Sequence, residues 1–339
     1  MNQQRICHIH AGTHKTASTY IQSRLYQNRR LLARHQLLYE FPARAGLKHK
    51  PLVSAANRCK WKRWHQYLDR YKSSNSNLLL SAEQFTRPLC NPEKLRRIKK
   101  VLGRHGYCLH VLIFVRPQLE YINSRYVHTL RRLYHSLSFE EYVSSFAKLE
   151  CGDIYNYGLF FRPLLDAGIR CTFLPFSSKY GDPFLQLTSA LGLENTLNYA
   201  PAAPGSENVQ PGTRGVWLSR LVVDRLQKLG HSGHDLKNTS KVVRRIAEPQ
   251  GWHEERYFGF SEELAARTLD HYQADNEMFA QRAWKRPWHE VFPPRSFSQS
   301  TYVPTDPEDA KHMEALADQI VGDLASRNRK LATALRASA

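Results

Sequence analysis

The 339-residue chain contains no run of about 20 apolar residues, so no segment has the length a membrane-spanning helix needs. Its first residues, MNQQRICHIH, lack the apolar core of a secretory signal. Six cysteines at positions 7, 59, 90, 108, 151 and 171 form no CxxC pair, and Cys7 and Cys171 lie within apolar runs, which argues for reduced thiols in a cytoplasmic protein. Acid is scarce: 30 Asp and Glu stand against 49 Lys and Arg, a formal net charge of +19. That balance excludes little about reaction type but favours anionic partners. No internal repeat is present, and 42% hydrophobic content is ample for a buried core.

The order of apolar runs sets the fold expectation. RICHIHA, NLLLS (77–81), CLHVLIFVR (108–116) and IRCTFLPF (169–176) read as strands; PEKLRRIKKVLGRH, PQLEYINSRYVHTLRRLY, NYGLFFRPLLDAG and DPFLQLTSALGL read as helices between and after them. Near-continuous apolar strands alternating with helices predict an α/β fold with a central parallel sheet covered on both faces. Residues 195–210 read as a long surface loop. Helical patterns then resume, most strongly in FSEELAARTLDHYQADNEMFAQRAW with Ser261 as its N-cap. The expected organisation is one α/β domain over residues 1–290, mostly helical towards its end. A 291–339 extension follows, made of a Pro- and Ser-rich stretch and a helix from about Pro307.

The stretch CHIHAGTHKTASTYIQ (7–22) admits two chemistries. His8 and His10 alternate on a strand and share a face, as metal ligands at a strand end can. The later strands end in NLLLSAEQF, VLIFVRPQ and TFLPFSSK, which supply no further histidine or aspartate ligands, so lining or core histidines are the expectation. The alternative is an anion cradle. A strand delivering Gly12 into Thr13, His14, Lys15, Thr16, Ala17, Ser18 and Thr19 at a helix start gathers backbone N–H groups, hydroxyls and an ammonium where the helix dipole favours negative charge. The triphosphatase pattern GxxxxGK[ST] is not matched, since no Gly precedes Lys15, and the strand ending at Arg116 offers no aspartate for magnesium.

On these residues the segment HAGTHKTASTYIQ resembles the 5′-phosphosulfate loop of sulfotransferases that use 3′-phosphoadenosine 5′-phosphosulfate (PAPS), where a Lys-Ser/Thr-Gly-Thr-Thr core follows the first strand. VLIFVRPQLEYINSRYV is similar to the family's 3′-phosphate motif, with Arg116 at the strand end and Ser124 eight positions on. LLLSAEQF resembles its middle strand and acidic turn, and FSEELAARTLDHYQADNEMFAQRAW the helix that closes bacterial members. The likeness spans residues 5 to 285.

The resemblance implies a P-loop-like α/β fold and transfer of a sulfuryl group from PAPS, without a metal, to a hydroxyl or amine of a small-molecule or carbohydrate acceptor. It implies Lys15 at the bridging oxygen, Thr16, Ser18 and Thr19 on the 5′-phosphate, Arg116 and Ser124 on the 3′-phosphate and Tyr20 beside adenine. His49 in GLKHKPL or Glu83 in SAEQF is the implied general base. Acceptor specificity is expected in residues 48–77 and 195–214. The family's loop Gly is Ala17 here; since alanine resists positive φ, an ordinary helical conformation is expected at that point. A nucleotide or sugar kinase, and a non-catalytic binder of anionic glycans or nucleic acid, are the competing readings. Nucleic acid is disfavoured, because no recognisable reading motif is present.

Overall fold

The computed structural model describes residues 4–13, 15–42, 48–147, 154–194, 197–203, 210–236 and 239–338. The chain divides into two compact units. One comprises residues 1–118, 151–208 and 271–294, the other residues 119–150, 209–270 and 295–339.

The first unit is built on a five-stranded, all-parallel sheet of β1 (Arg5–Gly12), β2 (Leu37–Leu38), β3 (Asn77–Ser81), β4 (Tyr107–Val115) and β5 (Arg170–Pro175), in the order β2-β3-β1-β4-β5. The α/β expectation holds, and four of the strands lie where the apolar runs place them. β2 has only two residues and carries no pattern of its own. Val111 to Val115 of the interior strand β4 are fully or almost fully buried, as expected of a parallel strand covered on both faces. Between strands, the helix Pro92–Arg104 starts at an Asn91 cap whose side chain accepts the Lys94 N–H at 3.0 Å. It buries Leu95, Ile98, Val101 and Leu102 along one stripe. Each such burial stabilises by roughly 1.5–3 kcal/mol. Ile21 and Leu25 of the helix Ser18–Gln27 pack with Leu112, Phe114, Phe184 and Leu187 in one apolar cluster.

The helix expected over NYGLFFRPLLDAG is two, Tyr157–Phe160 and Arg162–Asp166, divided just before Pro163. A mid-helix proline lacks the N–H and clashes with the preceding turn. The Asp275 carboxylate accepts the Gly158 and Leu159 amides at 2.7 and 3.0 Å and anchors the first of these helices.

The second unit is helical. Its longest packing runs between Gly212–Lys228 and Pro307–Ala325, where Arg225 bridges to Glu314 and, at 2.5 Å, to Asp318. The segment expected as an extension therefore contributes its residues 295–339 to this unit's fold. Tyr126, Phe139, Tyr257 and Phe260 form its aromatic centre. Asn123 fastens the 257–259 segment by donating to Tyr257 O at 2.9 Å and accepting from Gly259 N at 3.0 Å. The Ser261 hydroxyl accepts the Leu264 N–H at 3.2 Å, so the expected cap of Glu262–Trp284 is in place. No helix among the described residues is long and apolar enough to cross a membrane. The five described cysteines form no disulfide.

Candidate functional site

In this sheet the connection leaving β1 runs towards β3 and β2, while the one leaving β4 runs to β5 on the other side. The carboxyl ends of β1 and β4 therefore lie at the sheet's topological switch point, the place where open parallel sheets commonly bind ligands. The loop after Gly12 and the residue Arg116 meet at that point: the Arg116 guanidinium donates to the Lys15 carbonyl at 2.9 Å. Tyr157 O–H in turn holds the Arg116 carbonyl at 2.5 Å.

The loop is fastened from several sides. The Thr86 hydroxyl donates to Gly12 O at 2.7 Å and accepts the Gly12 N–H at 3.1 Å. The Thr13 hydroxyl donates to Phe114 O at 3.1 Å, and the Thr16 hydroxyl folds back onto Thr13 O at 2.8 Å. A Cβ on Gly12 would stand 3.2 Å from the Thr16 hydroxyl, so the turn closes tightly over that glycine. Under these constraints Lys15 and Ala17 both adopt left-handed backbone, at φ +73° and +54°. The expectation of an ordinary helical conformation at Ala17 is corrected. The loop's tertiary anchors outweigh the roughly 1–2 kcal/mol that a Cβ costs in this region. The loop then feeds the helix Ser18–Gln27, whose N-cap Ala17 offers no side-chain acceptor and whose first turn holds no acid. Such an end favours an external anion.

Not every predicted residue presents its polar group outward. Thr16 is fully buried with its hydroxyl spent on Thr13, and the Ser18 hydroxyl donates to the Glu83 carboxylate. For these two the 5′-phosphate contacts expected through hydroxyls are replaced by internal ones, leaving only their backbone amides for that task. Thr19 is exposed. Tyr20 O–H donates to Asp182 at 2.7 Å and accepts from Arg24 at 3.0 Å, so its tip is tied to the helix cap at Asp182. His14 lies outside the described residues. Ser124 is buried within the second unit, in the helix Gln118–Leu130, and the cradle described here is made from the first unit alone.

The two base candidates differ sharply. His49 is buried among Tyr39, Phe41 and Tyr67. Its Nδ1 accepts the Ser81 N–H at 3.3 Å, which leaves the proton on Nε2 to be donated to Glu40 O at 2.9 Å. Burial lowers its pKa to about 4, and the neutral ring has no lone pair left for an acceptor proton. Geometry thus makes His49 a cross-link between the entrance to the helix Lys50–Asn57 and the end of β3. Glu83, at the start of the turn after β3, is half-buried and holds the Ser18 hydroxyl at the head of the helix.

His10 adds a feature absent from the sequence reading. Its Nδ1 contacts the Ser81 hydroxyl at 2.8 Å, while its buried Nε2 has no hydrogen-bond partner among the described residues. Burial lowers its pKa to about 4, and Glu83 opposes that shift. His8 pairs with His110 across β1 and β4, Nδ1 to Nδ1 at 2.9 Å, and His110 reaches Thr172 at 2.9 Å. Thr86 and Asp182, which hold the loop and Tyr20, are likewise missed as site residues from sequence; Asp182 is marked only as the cap before Pro183, and Thr86 lies in no such pattern.

Comparison of the chain with family models, with curated proteins and with solved structures finds no match.

Proposed function

We propose that the chain is a PAPS-dependent sulfotransferase with a P-loop-like nucleotide site at the carboxyl ends of β1 and β4. The observation that carries the reading is the loop Gly12–Ser18. It turns left-handed at Lys15 and Ala17, is clamped by Arg116, and opens onto an uncapped helix at the sheet's switch point. The residue that replaces the family's glycine has the backbone conformation glycine favours, which supports the likeness where the sequence departs from it.

PAPS is a substrate in this scheme. The loop amides and the helix end hold its 5′-phosphate, and Arg116, whose planar guanidinium can face two oxygens, takes the 3′-phosphate. Transfer breaks the bond from sulfur to the bridging phosphate oxygen and forms one from sulfur to the acceptor oxygen. The Lys15 ammonium stabilises the charge that appears on the departing oxygen, a role worth roughly 10²–10³ in rate by analogy with other fixed donors. Glu83 accepts the acceptor's proton, a role for which His49 has no free lone pair.

Incubation with ³⁵S-labelled PAPS and a panel of hydroxyl- and amine-bearing acceptors, carbohydrates included, tests the reading. Label moves to an acceptor with the wild-type chain. Glu83→Gln loses transfer but keeps nucleotide affinity, and Lys15→Ala loses both. Undiminished transfer by both variants would remove the assignment of roles.

A further inference from the structure

The second unit contains a cleft of about 270 Å³ that the nucleotide site does not use. Its floor is aromatic: Tyr126 and Tyr257 stack at 5.7 Å between ring centroids and an interplanar angle of 27°. Trp217 and Tyr302 make an edge-on pair along one wall, 6.2 Å apart. The rim is polar and open, with Gln299 and Thr301 exposed and Val303 63% exposed beside them.

One cation lines the cleft. Arg220, from the helix Gly212–Lys228, stands close enough to Tyr126 and Tyr257 to favour their ionised forms, although burial dominates and raises both. It makes no contact at ion-pair distance among the described residues, although its charge favours the ionised Glu141 carboxylate, and its Nε is buried with no hydrogen-bond partner there. The lining carboxylate Glu140 is engaged with Arg267 at 3.3 Å. A buried guanidinium N–H without an acceptor is costly unless something outside the chain supplies one. Gln299 uses its amide N–H on Gly259 O at 3.2 Å, which turns its role towards accepting from a hydroxyl.

We infer that this cleft binds a single pyranose ring bearing one anionic group. The ring lies against the aromatic wall, the anion accepts from Arg220, and the ring hydroxyls meet Gln299 and Thr301. Drug-sized ligands occupy pockets from about 300 Å³ upward, so this volume suits one sugar rather than a chain buried along its length. The aromatic faces offer apolar area and the rim offers hydroxyl partners, a combination a sugar acid satisfies and a flat aromatic acid satisfies only on one side. The site lies wholly within the second unit and does not depend on the sulfuryl-transfer reading.

The test is isothermal titration and saturation-transfer NMR on the full chain with D-glucuronate, D-glucose 6-sulfate, D-glucose and benzoate. At least one of the two anionic sugars binds about tenfold or more tightly than glucose, as a charge-assisted hydrogen bond implies. Which of them binds better identifies carboxylate or sulfate as the anion. Arg220→Gln, checked by circular dichroism and melting, removes that preference, and Trp217→Ala weakens all three sugars. Should Arg220→Gln not fold, the rim variants Gln299→Ala and Thr301→Ala decide, each lowering affinity for the anionic sugar. Binding of both anionic sugars no tighter than glucose, benzoate binding tighter than both anionic sugars, or rim variants without effect would overturn the inference.

Discussion

Acid should unfold the first unit through its histidines, and the size of the effect follows from their burial. His8, His10, His49 and His110 are at most 4% exposed; burial lowers His8 to about 3 and the other three to about 4, with His110 and Arg170 adding to the shift at His8. Each folded pKa lies below the unfolded value near 6.5, so between the two the unfolded chain binds more protons than the folded one. Stability is therefore complete above about pH 6.5 and is lost as pH falls, the loss levelling off near pH 4 and, for His8, near 3. Each proton contributes about 1.4 kcal/mol per pH unit, so four histidines set an upper slope of roughly 5 kcal/mol per pH unit through pH 5 to 6. That is comparable with the ~5–15 kcal/mol of a typical domain. His8 and His110 face each other at 2.9 Å, so their second proton is the harder to add. Urea titrations followed by tryptophan fluorescence at pH 7, 6 and 5 should show the midpoint falling steeply with little change in m. His49→Gln should be less stable at pH 7 yet lose less on acidification. A midpoint unchanged from pH 7 to pH 5 would refute the reasoning, because it would mean that these rings charge as easily in the folded chain as in the unfolded one.

Ala17→Gly should stabilise the fold by about 0.5–1 kcal/mol, the relief of left-handed strain less the added freedom of the unfolded chain, read as a small rise in Tm. Ala17→Val, whose branched Cβ suits that φ least, should melt lower and lose nucleotide binding. In the second unit Gly212 is at φ +74° with the Trp252 carbonyl 1.7 Å from where a Cβ would be; Gly212→Ala should cost several kcal/mol or prevent folding, as circular dichroism and melting would report. Arg116→Ala should weaken 3′-phosphoadenosine 5′-phosphate far more than adenosine 5′-phosphate, with Arg116→Lys recovering only part of the loss because a point charge lacks the fork. Equal losses for both nucleotides would make Arg116 a structural clamp on Lys15 alone.

What could be seen in the sequence was whatever is encoded locally. β1, β3, β4 and β5 announce themselves as apolar runs, and Ser261 and Pro307 mark helix starts, because strand burial and helix capping leave signals within a few residues. The two-residue β2 is below that threshold. The positive φ at Ala17 contradicts its own propensity, since it is imposed by Thr86, Phe114 and Arg116, partners 74 to 101 positions away from the loop residues they hold. His49 in GLKHKPL reads as a candidate general base. Only Glu40 O and the Ser81 N–H, brought together by β2 and β3, make it a buried cross-link. The Arg220 cleft is similarly silent, being assembled from three separated stretches of chain.

In the proposed function the loop from Gly12 to Ser18, with Arg116, cradles a 3′-phosphorylated adenosine nucleotide through amides, Lys15 and a guanidinium. Isothermal titration of the full chain with 3′-phosphoadenosine 5′-phosphate in chelator-treated buffer tests it directly. Saturable one-site binding without added cation, a matching rise in melting temperature, and loss of both in Lys15→Ala are expected. No heat and no thermal shift with excess nucleotide, from a folded wild-type chain, would contradict it.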